Sequence, residues 1–168
     1  MEIAQRLKIK NKCECYTKEE NILRKAIMNF TIDEKRAFNM LVDSDIEKLQ
    51  VFMDVNELKK SLKNLKNKNG FVADEDGNVN FVYPVSALET NHKVTLSDGR
   101  KFSAMCAIDA MGAAFTFHED VVVESMCSNT GNSVRVEIKN GELYRYSPDT
   151  LYALHVDLNK HTDWASSC

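Results

Sequence analysis

The hydrophobic periodicity of the chain changes near residue 70, and this change constrains the fold more than any other feature of the sequence. Before residue 70, apolar residues recur at spacings of three and four, as they do on one face of a helix. After it, short β-prone runs are separated by turn signals such as Asp98-Gly99 and Asn140-Gly141. We therefore expect an α+β protein in which a helical module, residues 1–82, precedes a mostly antiparallel sheet domain, residues 83–168.

Three helices are expected in the N-terminal module. The first covers residues 18–29. A second is predicted from Thr31, because Glu34 follows at capping-box spacing, and its expected buried face is formed by Ala37, Phe38, Leu41 and Val42. A third begins at Asp54, where the same capping logic recurs, and stops at Asn69-Gly70.

A hairpin is predicted around Asp76-Gly77, directly after these helices. Helices followed by a hairpin are typical of a winged helix. We therefore expect residues 1–82 to form a winged-helix-like module.

The second domain is expected to contain six strands and one short helix. The segment CAIDAMGAAFTF is rich in Ala and Met, which favours a short buried helix between the second and third strands. The predicted strands are His92–Leu96, Arg100–Met105, Val121–Met126, Ser133–Ile138, Leu143–Tyr146 and Leu151–Asp157.

The composition excludes several classes of protein. The chain has 168 residues, of which 43% are hydrophobic and 28% charged, so it can bury a core and is unlike a disordered or coiled-coil sequence. It has no apolar run of about 18 residues, as a membrane-spanning helix requires, and its first residues are too polar for a signal peptide. We expect a soluble, cytoplasmic protein that does not bind membranes.

The third predicted helix carries a run of lysines without an intervening acidic residue. In a winged helix this would be the recognition helix, and its lysines would contact phosphates. However, the helix has no Arg or Gln, two of the side chains that read bases, so a solvated face is favoured over nucleic-acid binding. The lysines are Lys59, Lys60, Lys63, Lys66 and Lys68.

Cys106 and Asp109 are the most informative pair of polar residues. If Cys106 begins the short helix, both side chains project from one face and can address the same small ligand. A helix N-terminus also favours the thiolate form of a cysteine. The alternative is a buried cysteine followed by a routine helix start, and spacing alone favours that alternative.

The other cysteines carry weaker signals. Cys13 and Cys15 could chelate a soft metal, but no second pair completes a site, and Cys127 at a strand end is best read as a structural thiol. Cys168 at the end of the sequence is unremarkable by itself. Five cysteines cannot all pair within one chain, and cytosolic thiols stay reduced.

Residues Tyr83–Ile138 closely resemble the organomercurial (alkylmercury) lyases. Four features match in order and spacing: the Tyr-Pro start, the Thr-Asn-His hairpin, the Cys-Ala-aliphatic-Asp helix and the Cys-x-x-Thr-Gly turn. The upstream helices look like the N-terminal module of that family. In the family, this module is a structural support and does not read DNA. The segment Asp163–Cys168 is similar to the one that leads into the family's second essential cysteine.

The resemblance implies a set of residue roles. Cys106 corresponds to the first catalytic cysteine, Asp109 to the catalytic carboxylate and Cys168 to the second catalytic cysteine, and all three would contact mercury. Cys127 matches a further cysteine that is structural. Met105 departs from the family, which often has Trp before the first cysteine, and the family's chain continues past the second cysteine, whereas this sequence ends there.

The implied activity is protonolysis of the carbon–mercury bond of an organomercurial small molecule, for mercury resistance and detoxification. The products would be a hydrocarbon and Hg²⁺, with no organic cofactor. External thiols, and mercuric reductase by analogy with the family, would take the metal.

Two other interpretations stay open at the level of sequence. One is a winged-helix, thiol-based metal sensor that binds DNA through the lysine helix and reports metal through Cys106 and Cys168. The other is an inactive member of the family that only binds mercury.

Overall fold

The computed structural model describes residues 15–153 of the chain. It contains helices α1 (Lys18–Glu34), α2 (Asp43–Leu49), α3 (Val55–Asn67) and α4 (Ala107–Phe117). Its strands are β1 (Phe38–Asn39), β2 (Val72–Ala73), β3 (Asn78–Val82), β4 (Val85–Ser86), β5 (His92–Leu96), β6 (Lys101–Ala104), β7 (Val121–Met126), β8 (Ser133–Lys139) and β9 (Glu142–Ser147).

Helix α1 begins with a capping box that the sequence analysis did not identify. The Thr17 side chain accepts a hydrogen bond from the Glu20 backbone N–H, and the Glu20 carboxylate accepts one from the Thr17 N–H. Leu23 and Ile27 lie on one face of the helix and pack in the core, where neither has any exposed surface. Two of the orphan N–H groups of the first turn are thereby satisfied.

The second helix predicted from Thr31 is wrong. Thr31 and Glu34 lie in the last turn of α1, and the chain leaves the helix at Lys35, which adopts the left-handed conformation. The expected buried face is not formed: Phe38 is buried in β1, but Leu41 is 73% exposed. Thr31 and Glu34 have the spacing of a capping box, but helix α1 continues through both residues. The second helix begins later, at Asp43.

Helix α3 follows the prediction closely. The Asp54 carboxylate accepts hydrogen bonds from the N–H groups of Asn56 and Glu57, and Leu58 and Leu65 are fully buried. Four of the lysines, Lys59, Lys60, Lys63 and Lys66, are exposed, which agrees with a solvated face.

Lys68 differs from the other lysines. Its Nζ atom lies 2.7 Å from a carboxylate oxygen of Glu20, which is 1% exposed. It therefore ties the C-terminal end of α3 to the first turn of α1, although the residue is still partly exposed.

The predicted hairpin around Asp76-Gly77 is confirmed as β2 and β3, which pair antiparallel. The Asp74 carboxylate accepts the Asn78 N–H at 2.8 Å, and Gly77 has a φ of +83°, which few other residues adopt in a turn.

A single antiparallel sheet runs through the described chain. Its nine strands follow the order β1-β3-β4-β6-β5-β7-β8-β9, with β2 also paired to β3. The expected α+β class with a mostly antiparallel sheet is confirmed. Hydrogen bonding continues from β3 through β4 to β6, so the sheet passes directly through the point at which we expected the second domain to begin.

Helix α4 packs on one face of this sheet. The Phe117 ring lies 5.7 Å from the ring of Phe102 on β6, and Phe102 is paired with Val94 on β5. Because residues paired directly across antiparallel strands point to the same face, α4 covers the face that carries Val94 and Val123.

The last predicted strand, Leu151–Asp157, is not found where the structure can test it. Residues 151–153 form no strand, and the rest of that segment lies outside the described residues. Within residues 15–153, no helix has the length and apolar character needed to cross a membrane.

Candidate functional site

Cys106 occupies the position at which strand β6 ends and helix α4 begins. It is the N-cap of α4, in the extended conformation, and its Sγ atom accepts a hydrogen bond from the Asp109 N–H at 3.5 Å. A sulfur atom at this position faces the positive end of an 11-residue helix, which stabilises negative charge. The predicted helix start is confirmed.

Asp109 lies one turn into α4 and is 6% exposed, whereas Cys106 is half-buried. The structure therefore brings the thiol and the carboxylate to one helix terminus. Burial of a carboxylate is costly unless polar groups surround it, so its position at the first turn requires a polar setting.

Tyr83 is a further residue at α4, and the sequence did not single it out as functional. Its hydroxyl lies so close to Gly112 of α4 that a Cβ atom there would fall far inside van der Waals contact. The signal for it is Gly112 itself, since a glycine in a helix interior is unfavourable by about 1 kcal/mol relative to alanine and therefore points to a close approach.

Strand register explains why Tyr83 lies at the end of the sheet at which α4 begins. Val85 on β4 is paired with Ala104 on β6, and the two strands are antiparallel. Tyr83 precedes Val85 by two residues and Cys106 follows Ala104 by two, so both residues lie at the same end of this pair of strands.

His92 lies two residues before Val94 on β5, and Ser125 lies two residues after Val123 on β7. Residues two apart on a strand point to the same face, so His92 and Ser125 lie on the sheet face that α4 covers. The His92 Nδ1 atom is 2.9 Å from the Ser125 Oγ atom, and burial lowers the pKa of the imidazole. Burial therefore favours the neutral form of the His92 imidazole.

Cys127 directly follows β7, and the turn after it lowers the pKa of its thiol. The pKa of this thiol lies below its ordinary value because the Thr130 side chain hydrogen-bonds to it, with further hydrogen bonds from the Thr130 and Asn129 backbone. The side chain is half-buried, as expected of a residue at a strand end. In residues 15–153, no three His, Cys, Asp or Glu side chains are grouped to hold a metal ion, so Cys127 does not complete a metal cluster with Cys106 and Asp109.

Two predicted thiol positions fall where the structure gives no description. Cys168, the expected second catalytic cysteine, lies outside the described residues, as does Cys13. Cys15 is exposed.

Comparison with known proteins identifies the relatives of the chain. Residues 85–168 match the family model described as MerB: Alkylmercury lyase, which is half of the chain. A solved structure, the mercury-bound form of MerB2, superposes with a TM-score of 0.59 at 24% identity and covers 83% of this chain. The chain spans 65% of the length of that relative. A search of curated proteins finds no match.

Proposed function

This chain belongs to the alkylmercury lyase family, and from that premise we propose that it cleaves the carbon–mercury bond of organomercurials by protonolysis. The products are a hydrocarbon and Hg²⁺. The observation that carries the proposal is the meeting of the Cys106 thiol and the buried Asp109 carboxylate at the first turn of α4.

The first step of the proposed reaction is ligand exchange on mercury. Thiolates are soft ligands and mercury is a soft metal, so the Cys106 sulfur displaces the ligand that accompanied the organomercurial. The location of Cys106 at a helix N-terminus supports this role, since the helix favours the thiolate that makes the bond.

The second step moves a proton to carbon. A second thiol, which we propose is Cys168, binds the same mercury and gives its proton to the Asp109 carboxylate. Asp109 then donates that proton to the carbon, which keeps the electron pair of the breaking carbon–mercury bond. Mercury remains on the two sulfur atoms as Hg²⁺, so charge and protons balance without an organic cofactor.

Release of Hg²⁺ completes the proposed cycle. Incoming external thiols replace the two protein sulfur atoms by ligand exchange, and mercuric reductase is the proposed acceptor in mercury detoxification. This chemistry needs reduced cysteines, and we propose a cytoplasmic location because thiols stay reduced there.

The N-terminal residues are proposed to form a winged-helix-like module, residues 1–82, that supports the second domain, residues 83–168, and does not bind nucleic acid. The order helix, strand, two helices and hairpin supports the comparison with a winged helix. The sheet bonds between β3 and β4 support a structural role.

Release of benzene from a phenylmercury salt in the presence of excess thiol tests the activity. Gas chromatography of the headspace should detect benzene with the wild-type protein. Cys106→Ser should lose both tight Hg²⁺ binding and cleavage, whereas Asp109→Asn should keep thiol coordination and lose cleavage, because the two residues act in different steps.

Cys168→Ser tests the second thiol, and Cys127→Ser is the matched control. Loss of cleavage is expected for Cys168→Ser, while Cys127→Ser should retain turnover per folded molecule with reduced stability. A folded wild-type protein that releases no benzene would contradict the proposal, and full activity of Cys168→Ser would assign the second thiol elsewhere.

A further inference from the structure

We propose that Tyr83 is a positioning residue for Asp109, with its hydroxyl held over the turn of α4 from which the carboxyl group projects. This inference rests on the proposed lyase function, in which Asp109 transfers the proton. Tyr83 itself need not touch the substrate.

The contact between Tyr83 and α4 is made by the tip of the side chain. Measured from the position that a Cβ atom would occupy at Gly112, the hydroxyl oxygen is nearest, Cζ follows at 3.1 Å and Cε2 at 3.7 Å. The phenol therefore points end-on at the helix, and the polar atom, rather than the ring face, is what meets α4.

The location of this contact on the helix indicates that Asp109 is the side chain on which the Tyr83 hydroxyl acts. Side chains on a helix tilt toward its N-terminus, so the space above residue 112 lies over the preceding turn. Residues three apart are neighbours on the helix surface, which makes Asp109 the adjacent polar side chain. A tyrosine hydroxyl can donate a hydrogen bond to a carboxylate and accept one from a carboxylic acid, so it can serve Asp109 in both protonation states.

The main chain of Tyr83 is fixed from the N-terminal side of the fold. Its carbonyl oxygen accepts a hydrogen bond from Arg24 Nη2 at 3.1 Å, and Arg24, on α1, is 6% exposed. The Arg24 guanidinium in turn lies 4.8 Å from the centre of the Tyr16 ring. Because Val82 and Val85 are paired across the Tyr83-Pro84 turn, Tyr83 is held between two bonded strand positions.

Gly112 is the counterpart of this arrangement. A methyl group there would displace the hydroxyl, and since the displaced atom is the end of a side chain, Tyr83 can swing aside without breaking the helix. Alanine also favours the helix over glycine. Gly112→Ala is therefore expected to move the hydroxyl while the protein stays folded.

The kinetic test compares Tyr83→Phe, Gly112→Ala and the double variant in the benzene-release assay. Each single variant should lower kcat on the order of tenfold, as expected for loss of a hydrogen bond to a charged group, with little change in KM. The double variant should be no worse than either single one, because both remove the same contact, and in the phenylalanine background the nearest ring atom at 3.1 Å needs only a small shift. Tyr144→Phe, at an exposed tyrosine of β9, is the control and should leave kcat unchanged.

A second readout does not depend on turnover. The side-chain carboxyl ¹³C resonance of Asp109, assigned by its absence in Asp109→Asn, should shift in Tyr83→Phe and Gly112→Ala but not in Tyr144→Phe. If the wild-type protein releases no benzene, the proposed function fails, and this resonance alone decides the role of Tyr83. An unmoved resonance in Tyr83→Phe, or additive kcat losses in the double variant, would overturn the inference.

Discussion

Asp45 is a charged side chain with no exposed surface, and its three hydrogen bonds show what keeps it buried. The Arg36 guanidinium donates to both carboxylate oxygens, at 2.6 and 2.7 Å, and the Asn39 N–H of β1 donates at 3.0 Å. Asp45→Asn removes the charge that Arg36 pairs with, so we expect unfolding free energy to fall by about 2–3 kcal/mol. Urea denaturation measures this loss, and the exposed Asp43→Asn is the control, expected to change stability little.

The same carboxylate gives stability a pH dependence of known sign. The hydrogen bonds from Arg36 hold the pKa of Asp45 below its ordinary value of 3.8, although burial opposes this. A lowered folded pKa contributes stability that is present above 3.8 and is lost as the pH falls through the folded value. The difference in unfolding free energy between wild type and Asp45→Asn should therefore shrink in acid; a difference that is constant down to the acid transition would contradict this assignment.

Cys127 offers a prediction about thiol reactivity. Since the Thr130 side chain is the main cause of its lowered pKa, Thr130→Val should raise that pKa and slow alkylation of Cys127 at neutral pH. Mass spectrometry of the alkylated peptide measures the rate. Ser128→Ala in the same turn is the control, and equal slowing in both variants would show that the turn as a whole, and not the Thr130 hydroxyl, sets the reactivity.

At the scale of elements, α3 shows how an exposed basic face can be distinguished from a nucleic-acid reader. Lys60 lies 3.4 Å from the Glu57 carboxylate, and Lys68 is bound to buried Glu20, so two of the five lysines already have partners. We expect no sequence-selective binding of duplex DNA at physiological salt, which fluorescence anisotropy with labelled duplexes can test. Tight, selective binding that is lost in a Lys59→Glu, Lys63→Glu variant would contradict this expectation.

The sequence predicted elements well where one local signal decided the outcome. The Asp54 cap, the turn at Asp76-Gly77 and the start of α4 at Cys106 each depend on a few adjacent residues, and all three are found. The second helix failed because Thr31 and Glu34 also fit the end of α1, and only tertiary contacts decide between the two, above all the burial of Phe38 in β1.

The candidate site divides in the same way. Cys106 and Asp109 are separated by one helical turn, so spacing along the chain was enough to place them on one helix face, while their catalytic roles were implied by the family resemblance. Tyr83 reaches α4 through the pairing of Val85 with Ala104, a register that no local pattern of residues specifies.

At the scale of the whole molecule, the continuous sheet predicts that the second half does not fold alone. In a fragment of residues 83–168, the two-residue strand β4 would lose its partner β3, and the Tyr83 carbonyl would lose Arg24. We expect the fragment to show no cooperative thermal transition by circular dichroism. Mixing it with a fragment of residues 1–82 should restore some of the transition, whereas a cooperative transition in the isolated fragment would contradict the prediction.

The passage of the sheet through Tyr83-Pro84 also limits how this protein could be recombined with its relatives. A chimera joined at this point would unite a β3 and a β4 that were selected in different proteins, together with an arginine from one parent and a tyrosine from the other. A crossover in the Asp98-Gly99 turn, between β5 and β6, keeps these partners together, but it separates β6 from β4 and β5, and β5 from β7. Exchange of complete N-terminal segments should therefore succeed only when the donor also supplies the partners of β4. The border between residues 82 and 83 is accordingly a poor junction for a chimera.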